Sequence, residues 1–319
     1  MVEVRQVREN DEKGVRELFC SCFGRRLSHS EWIWKYRGSP WGSSAVVAVD
    51  GNSIVAHYGG LRMKFLFQGK ILNAFQFCDV MTHPGYRGRF VSKTPIIIKL
   101  GERFYGENQM DFAFGFPSLR HARLQSIRLG GEGYRLVSLY KKGPLKRRFV
   151  MWTLKVREGW EYFHAGEFSE FSQFLINKNN SILQLAKDEK YVKWRYMENP
   201  LRKYRLLVLK RLNNTKGYVI FTLHDGWCDM LDIFYKNERE IKDILSSVEK
   251  YAYSSLDNIK GIRAWFHPNE HLICLMKDLG FRSEDHIPVA FKSVNTNCGV
   301  TSDIFYNYYF YRMGDYDGS

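Results

Sequence analysis

An internal echo constrains this chain more than any other feature. Trp34-Lys-Tyr-Arg-Gly-Ser-Pro40 recurs as Trp194-Arg-Tyr-Met-Glu-Asn-Pro200. Each copy follows a helical stretch and precedes an apolar strand, Ser44–Asp50 in the first and Tyr204–Lys210 in the second. A turn and another strand come next, Ser53–Gly59 and Tyr218–Thr222. Further on, Phe114-Gly-Phe-Pro-Ser118 recurs as Trp265-Phe-His-Pro-Asn269. Both lead into an amphipathic segment ending in glycine, Leu119–Gly130 and Glu270–Gly280. Landmarks matched in one order, about 150 to 160 residues apart, read as a tandem duplication.

The duplication divides the 319 residues into a first domain, 1–148, a second, 149–291, and an aromatic tail, 292–319. The link is expected at Lys141–Arg148 as a solvated basic linker, and Ile304–Arg312 reads as one more strand packing back on the body. Gly314–Asp317 reads as a frayed terminus. Within a copy the order is strand, two helices, three strands, helix, strand, helix, strand. In the first copy the helices are Asp11–Phe23, His29–Arg37, Pro95–Glu107 and Leu119–Leu129. Strands mixed with helices in this order predict an α/β fold, an α+β layering of helices on two mixed sheets.

Composition limits the partners. Lysine and arginine number 48 against 34 acids, a formal net charge of +14, which favours anionic partners such as CoA, nucleotide sugars, nucleic acid or an anionic membrane face. The basic run 141–148 has no interleaved aromatics, so nucleic acid is not the expected partner. There is no run of about 18 apolar residues and no apolar leader after Met1, so a cytoplasmic protein without a membrane span is expected. The six cysteines lack metal spacing, and no metal is expected.

Chemistry points to Asp79-Val-Met-Thr-His-Pro-Gly-Tyr-Arg-Gly-Arg89. A strand breaks at His83-Pro84 into a basic, glycine-containing loop, and a helical segment follows with Ser92 or Thr94 as its expected cap. Loop amides, a helix N-terminus and the charges of Arg87 and Arg89 together suit a phosphate. In the second copy, Met230–Phe234 runs into Tyr235-Lys-Asn-Glu-Arg-Glu-Ile241 with no loop glycine. Glu238 and Glu240 would repel a diphosphate there.

These residues resemble the acetyl-CoA pyrophosphate loop of the GNAT acetyltransferase superfamily, written Gln/Arg-x-x-Gly-x-Gly/Ala. Gly85 to Phe90 occupy its six positions. Arg87 and Gly88 match, whereas Gly85 and Phe90 depart from the pattern. The resemblance implies two tandem GNAT-like domains, with an acyl-CoA site in the first only. It implies that acetyl-CoA is held by Val80, Met81, Thr82, Arg87, Gly88, Arg89, Phe90, Val91, Ser92 and Ser118. Asp79 is the implied general base and His83 an alternative. The tyrosine that many relatives place four residues before the glycine ending the fourth helix is Ser126 here. The motif series looks like bacterial acetyltransferases of surface-polysaccharide pathways, which implies an N-acetyltransferase acting on a small amine such as an amino sugar. A Fem-type aminoacyl transferase and a degenerate pair that binds CoA or a partner without transfer are the other readings.

Overall fold

In the computed structural model, residues 2–91, 93–144, 156–162, 182–211, 214–255, 258–270 and 272–316 are described. The chain forms two compact units. The first comprises 1–135, 193–201 and 288–306; the second comprises 136–192, 202–287 and 307–319. The chain leaves the first unit within the strand 134–142, rejoins it briefly at 193–201, re-enters it within the strand 282–293 and leaves it again after 306.

The first unit begins with β1 (Val2–Gln6), α1 (Glu12–Phe23) and α2 (His29–Trp32). In α1 the buried positions Val15, Leu18 and Phe19 follow the helical period, and Gly24 ends the helix at φ +70°. Ser28 and Glu31 form a reciprocal capping box at the start of α2. The helix expected over 29–37 changes pitch halfway: residues Ile33–Arg37 form a π turn, closed by Gly38 N–H donating to Ile33 O. The wider turn buries three consecutive side chains, Trp34, Lys35 and Tyr36.

Next come β2 (Ser43–Asp50), β3 (Ser53–Phe67) and β4 (Lys70–Thr82). The two-residue strands β5 (Phe90–Val91) and β6 (Thr94–Pro95) follow, then α3 (Ile96–Glu107), β7 (Phe112–Gly115), α4 (Leu119–Arg128) and β8 (Tyr134–Lys142). The main sheet of the first unit runs β1-β2-β3-β4-β7 and then the end of β15 (Arg282–Ser293). β4 and β7 pair in parallel and the remaining neighbours are antiparallel. Tyr58, Phe75, Phe104, Ala113 and Leu129 belong to the core cluster of this unit, most of them completely buried.

The second unit contains β9 (Val156–Glu158), β10 (Gln184–Leu185), α5 (Glu189–Val192), β11 (Arg205–Arg211), β12 (Asn214–His224) and β13 (Trp227–Tyr235). α6 (Glu238–Ser255), β14 (Gly261–Trp265) and α7 (Ile273–Asp278) follow. Its strands run β9-β11-β12-β13-β14-β8. Again only the β13–β14 pair is parallel. Thus β2-β3-β4-β7-β15 and β11-β12-β13-β14-β8 share order and sense. The last strand in each series comes from the other half of the sequence.

Three local expectations are corrected. Lys141 and Lys142 are not linker but strand, paired with Arg263 and Ile262 of β14; residues 145–148 lie outside the described ones. The tail segment expected as a strand is instead α8 (Ser302–Tyr308). Phe305 explains the choice, because a helix lets its ring stack on Phe291 at 4.7 Å and reach Phe112 and Phe114. The terminus is not frayed through Asp315. That residue is buried, accepts from Tyr309 Oη at 2.9 Å and lies 3.0 Å from Lys187 Nζ.

Candidate functional site

The site of the first unit follows from where β4 leaves β7. The parallel ladder joins Ala74–Gln76 to Phe112–Phe114 and stops, while β4 runs on to Thr82. Beyond Gln76 and Phe114 the strands part. Gly115 stands at the fork with the Phe77 ring where its Cβ would be: an added carbon would lie 2.5 Å from that ring.

Just beyond the fork, β4 carries one residue too many. His57 pairs with Met81 and Gly59 with Cys78, so Tyr58 alone faces Asp79 and Val80. This is a β-bulge, and Asp79 takes φ +46° within it. A bulge turns backbone groups out of the ladder, here beside the fork.

The Asp79 carboxylate is fully engaged. Lys35 Nζ donates to one oxygen at 2.9 Å and Tyr36 Oη to the other at 2.6 Å. Burial pushes its pKa up, but the Lys35 charge and the Tyr36 hydrogen bond outweigh that and hold it below the ordinary carboxylate value. Burial and the Asp79 charge push Tyr36 well above the usual phenol. The π turn thus delivers two adjacent side chains to one carboxylate. Sequence reading found Asp79 but not Lys35 or Tyr36; their place in the repeated Trp-x-Tyr motif was the available signal.

His83 sits at a turn. Its Nδ1 accepts from Gly85 N–H at 3.2 Å, capping the short 3-10 turn Pro84–Tyr86. Of the predicted cofactor residues, Val80, Met81 and Thr82 end β4, while Arg87, Gly88, Arg89, Phe90 and Val91 form the loop leading to α3. Ser92 lies outside the described residues. Phe90 turns its ring outward and is 60% exposed, which leaves its backbone unobstructed by the side chain. Gly88 has φ +85° and open space where a Cβ would be. Part of the loop is self-satisfied: Arg87 N–H donates to Pro84 O, Arg89 N–H to Tyr86 O and Ile96 N–H to Arg89 O. Arg87 Nε donates to Thr82 O at 3.3 Å, and the Arg89 guanidinium lies 4.2 Å from the Tyr86 ring centre. An anion at this end would be held by the two exposed guanidinium groups, Gly88 and the next free N–H groups of the first turn of α3. Ser118 caps α4, accepting from His121 N–H at 3.4 Å.

Position 126 holds no proton donor aimed at the fork, since Ser126 Oγ donates back to Ala122 O. The neighbouring Gln125 is buried and donates to Tyr105 Oη at 2.8 Å and to Tyr58 Oη. Those two hydroxyls are 2.8 Å apart.

The corresponding helix start in the second unit is closed. Glu240 Oε2 accepts from Lys236 N–H at 3.0 Å and Asn237 N–H at 3.1 Å, while Asn237 Oδ1 accepts from Glu240 N–H. The chain's own carboxylate thus folds back over the two N–H groups that precede the helix. Among the described residues no cluster of three or more His, Cys, Asp or Glu could hold a metal, and no helix is long and apolar enough to cross a membrane.

Comparison with known proteins bears on the fold. Residues 3–122, from β1 into α4, match the family model of the acetyltransferase (GNAT) domain. The fold, a mixed α/β sheet layered by helices, is that of solved GCN5-related N-acetyltransferases. One from Anabaena variabilis ATCC 29413 superposes with a TM-score of 0.69 at 14% identity, covering 93% of this chain and 74% of that one. One from Kribbella flavida gives 0.63 at 15%, covering 93% and 72%. A probable N-acyltransferase of unknown function from Enterococcus faecalis V583 gives 0.66 at 11%, covering 92% and 73%. No curated protein matches the chain in sequence.

Proposed function

We propose that the first unit transfers an acyl group from acyl-CoA, most simply acetyl-CoA, to a small amine. The bulge at Asp79 and Val80 beside the β4–β7 fork carries this reading. It leads directly to the basic loop and the start of α3, so a thioester at the bulge and a diphosphate at the loop lie along one strand. The CoA diphosphate is assigned to Arg87, Gly88, Arg89 and the first turn of α3. The acyl carbonyl is assigned to backbone in the Val80–Thr82 stretch.

In the reaction the amine nitrogen bonds to the thioester carbon, the carbon–sulfur bond breaks, and the sulfur leaves with the electron pair. Asp79 is assigned a different part from the general base that the motif implies. A carboxylate with both oxygens engaged and a depressed pKa is a poor proton acceptor, so Asp79 is assigned to holding the bulge rather than to taking the amine proton. The proton then passes to water.

The second unit is proposed as a duplicated partner without CoA chemistry, a reading supported by the shared strand order and the Glu240 plug. The domain division at 148 and 291 is kept as the extent of the duplicated sequences, with end strands exchanged between the units. An amino sugar, free or nucleotide-linked, is the acceptor class that the motif series suggests. The inward-turned Arg87 and Arg89 amides and Ser126 favour one rival, a CoA-binding module without transfer.

Calorimetry with acetyl-CoA tests the reading. Micromolar binding by the wild type, lost in the Arg87→Glu, Gly88→Trp double variant, is expected. No binding by the wild type would sink it. CoA binding with no turnover on any amine would leave the non-transferring module.

A further inference from the structure

A buried strand carbonyl thrown out of its ladder needs another donor. At the bulge, His57 of the neighbouring strand supplies it: Nδ1 lies 2.8 Å from Asp79 O. A carbonyl only accepts, so this nitrogen carries the proton. The ring is completely buried, and Nε2 has no hydrogen-bond partner. Burial holds the imidazole pKa below its ordinary value, the Asp79 charge offsetting only part of the effect. The ring is therefore neutral and held through one nitrogen.

Space for it is made by a glycine. A Cβ on Gly59 would fall 2.7 Å from both His57 Cε1 and Tyr36 Oη. Imidazole and hydroxyl thus converge on the same patch of backbone. Asp79 is gripped at three points, its carboxylate by Lys35 and Tyr36 and its carbonyl by His57. That grip offsets the cost of a non-glycine residue at positive φ.

The second unit makes the contrast. Its β13 also carries one excess residue, Leu231, between the pairs Ile220–Asp232 and Phe221–Met230. The residue at the last pair before the excess is Ile220, which has no side-chain donor. The imidazole accompanies the unit that carries the open loop.

We propose that His57 is a positioning residue: its Nδ1–H clamps the Asp79 carbonyl and so sets the bulge against which the acyl carbonyl of the cofactor is bound. The proposal rests on the acyl-CoA reading above. It concerns discrimination between acylated and free CoA, which that reading does not require of any particular side chain.

The test uses the full chain with CoA and acetyl-CoA as probes. Asparagine places its amide N–H close to the position of imidazole Nδ1, whereas glutamine mimics Nε2. Wild type is expected to prefer acetyl-CoA over CoA by calorimetry. His57→Asn should keep that preference. His57→Gln and His57→Leu should lose it by about tenfold, with CoA affinity itself within about twofold of wild type. Equal preference in wild type and His57→Leu overturns the proposal, as does rescue by Gln but not Asn. No wild-type preference for acetyl-CoA overturns it while leaving CoA binding intact. Failure of the wild type to bind CoA at all overturns the acyl-CoA reading as well. If His57→Leu does not fold, nitrogen-15 imidazole spectra of the wild type decide. A neutral ring with a slowly exchanging Nδ1–H is expected, and an Nε2–H tautomer overturns the clamp.

Discussion

Trp34 and Trp194 exchange hydrogen bonds. The indole N–H of each donates to the other's backbone carbonyl, both at 2.7 Å, and the rings stack with centroids 5.1 Å apart and planes 15° from parallel. They hold the same place in the two copies of the repeated motif, and both belong to the first compact unit. The contact is therefore reciprocal between matching positions of the echoed motif.

The exchange has an energetic consequence. Trp34→Phe and Trp194→Phe each keep an aromatic ring but leave one buried carbonyl without its donor. Each should cost about 1–3 kcal/mol, and the two costs should agree within about 0.5 kcal/mol. Urea unfolding of the two variants checks this. A neutral effect in one of them would mean that the symmetry has no energetic counterpart.

Lys35 and Asp79 form a buried pair, each side chain about nine-tenths covered. Lys35→Met leaves a buried carboxylate with only Tyr36 to answer it, at about 3–5 kcal/mol near neutral pH. The Asp79 carboxyl pKa then rises, because burial remains and the ammonium is gone. The penalty should therefore shrink as pH falls toward 4. Thermal unfolding at pH 7 and pH 4.5, wild type against variant, measures the difference. A penalty independent of pH would contradict this assignment.

His121 gives the first unit an acid-sensitive limb. Burial holds its pKa down to about 4, against an ordinary value of 6.5. As pH falls below 6.5 the unfolded chain takes up a proton that the folded chain refuses until about 4. Stability is complete above 6.5 and is lost as pH falls through that window, by about 3 kcal/mol. His57 acts in the same direction. Urea unfolding from pH 7 to pH 4.5 should show a shallower decline in His121→Gln than in the wild type. Parallel curves would refute the assignment.

Glu240 plugs its own helix. Glu240→Ala removes the carboxylate that accepts from Lys236 and Asn237, just before α6, and should cost about 1 kcal/mol. It should create no measurable affinity for acetyl-CoA, because that helix start has no loop glycine and no guanidinium beside it. Calorimetry on the variant in the Arg87→Glu, Gly88→Trp background isolates the second unit. Micromolar binding there would show that the capping carboxylate is all that silences it.

Much of this was legible along the chain. The α/β class and the helices at 11–23, 95–107 and 119–129 rest on periodicity and turn residues, which act over a few positions. The anion-loop candidate was legible because strand, glycine, arginine and helix start are contiguous. Phe305 shows where that legibility stopped. Ile304–Arg312 has the aromatic content of a strand, yet α8 forms because Phe112, Phe114 and Phe291 present a surface that a helical Phe305 fills. Asp79 shows it again: a carboxylate at a strand end is visible in sequence, but its protonation and role are not.

Sequence by itself determined the local elements, the echoed motifs, and a basic glycine-containing loop in the first half that the second half lacks. Those follow from side-chain periodicity, backbone-permissive glycine and local charge. Tertiary structure alone decided that Lys35 and Tyr36 saturate Asp79, that His57 reaches its carbonyl, that β8 pairs with β14 and that the end of β15 pairs with β7. Each depends on residues more than 20 positions apart meeting in a dry interior. Burial sets the pKa of such groups, and a strand joins whichever open edge lets it bury its apolar face.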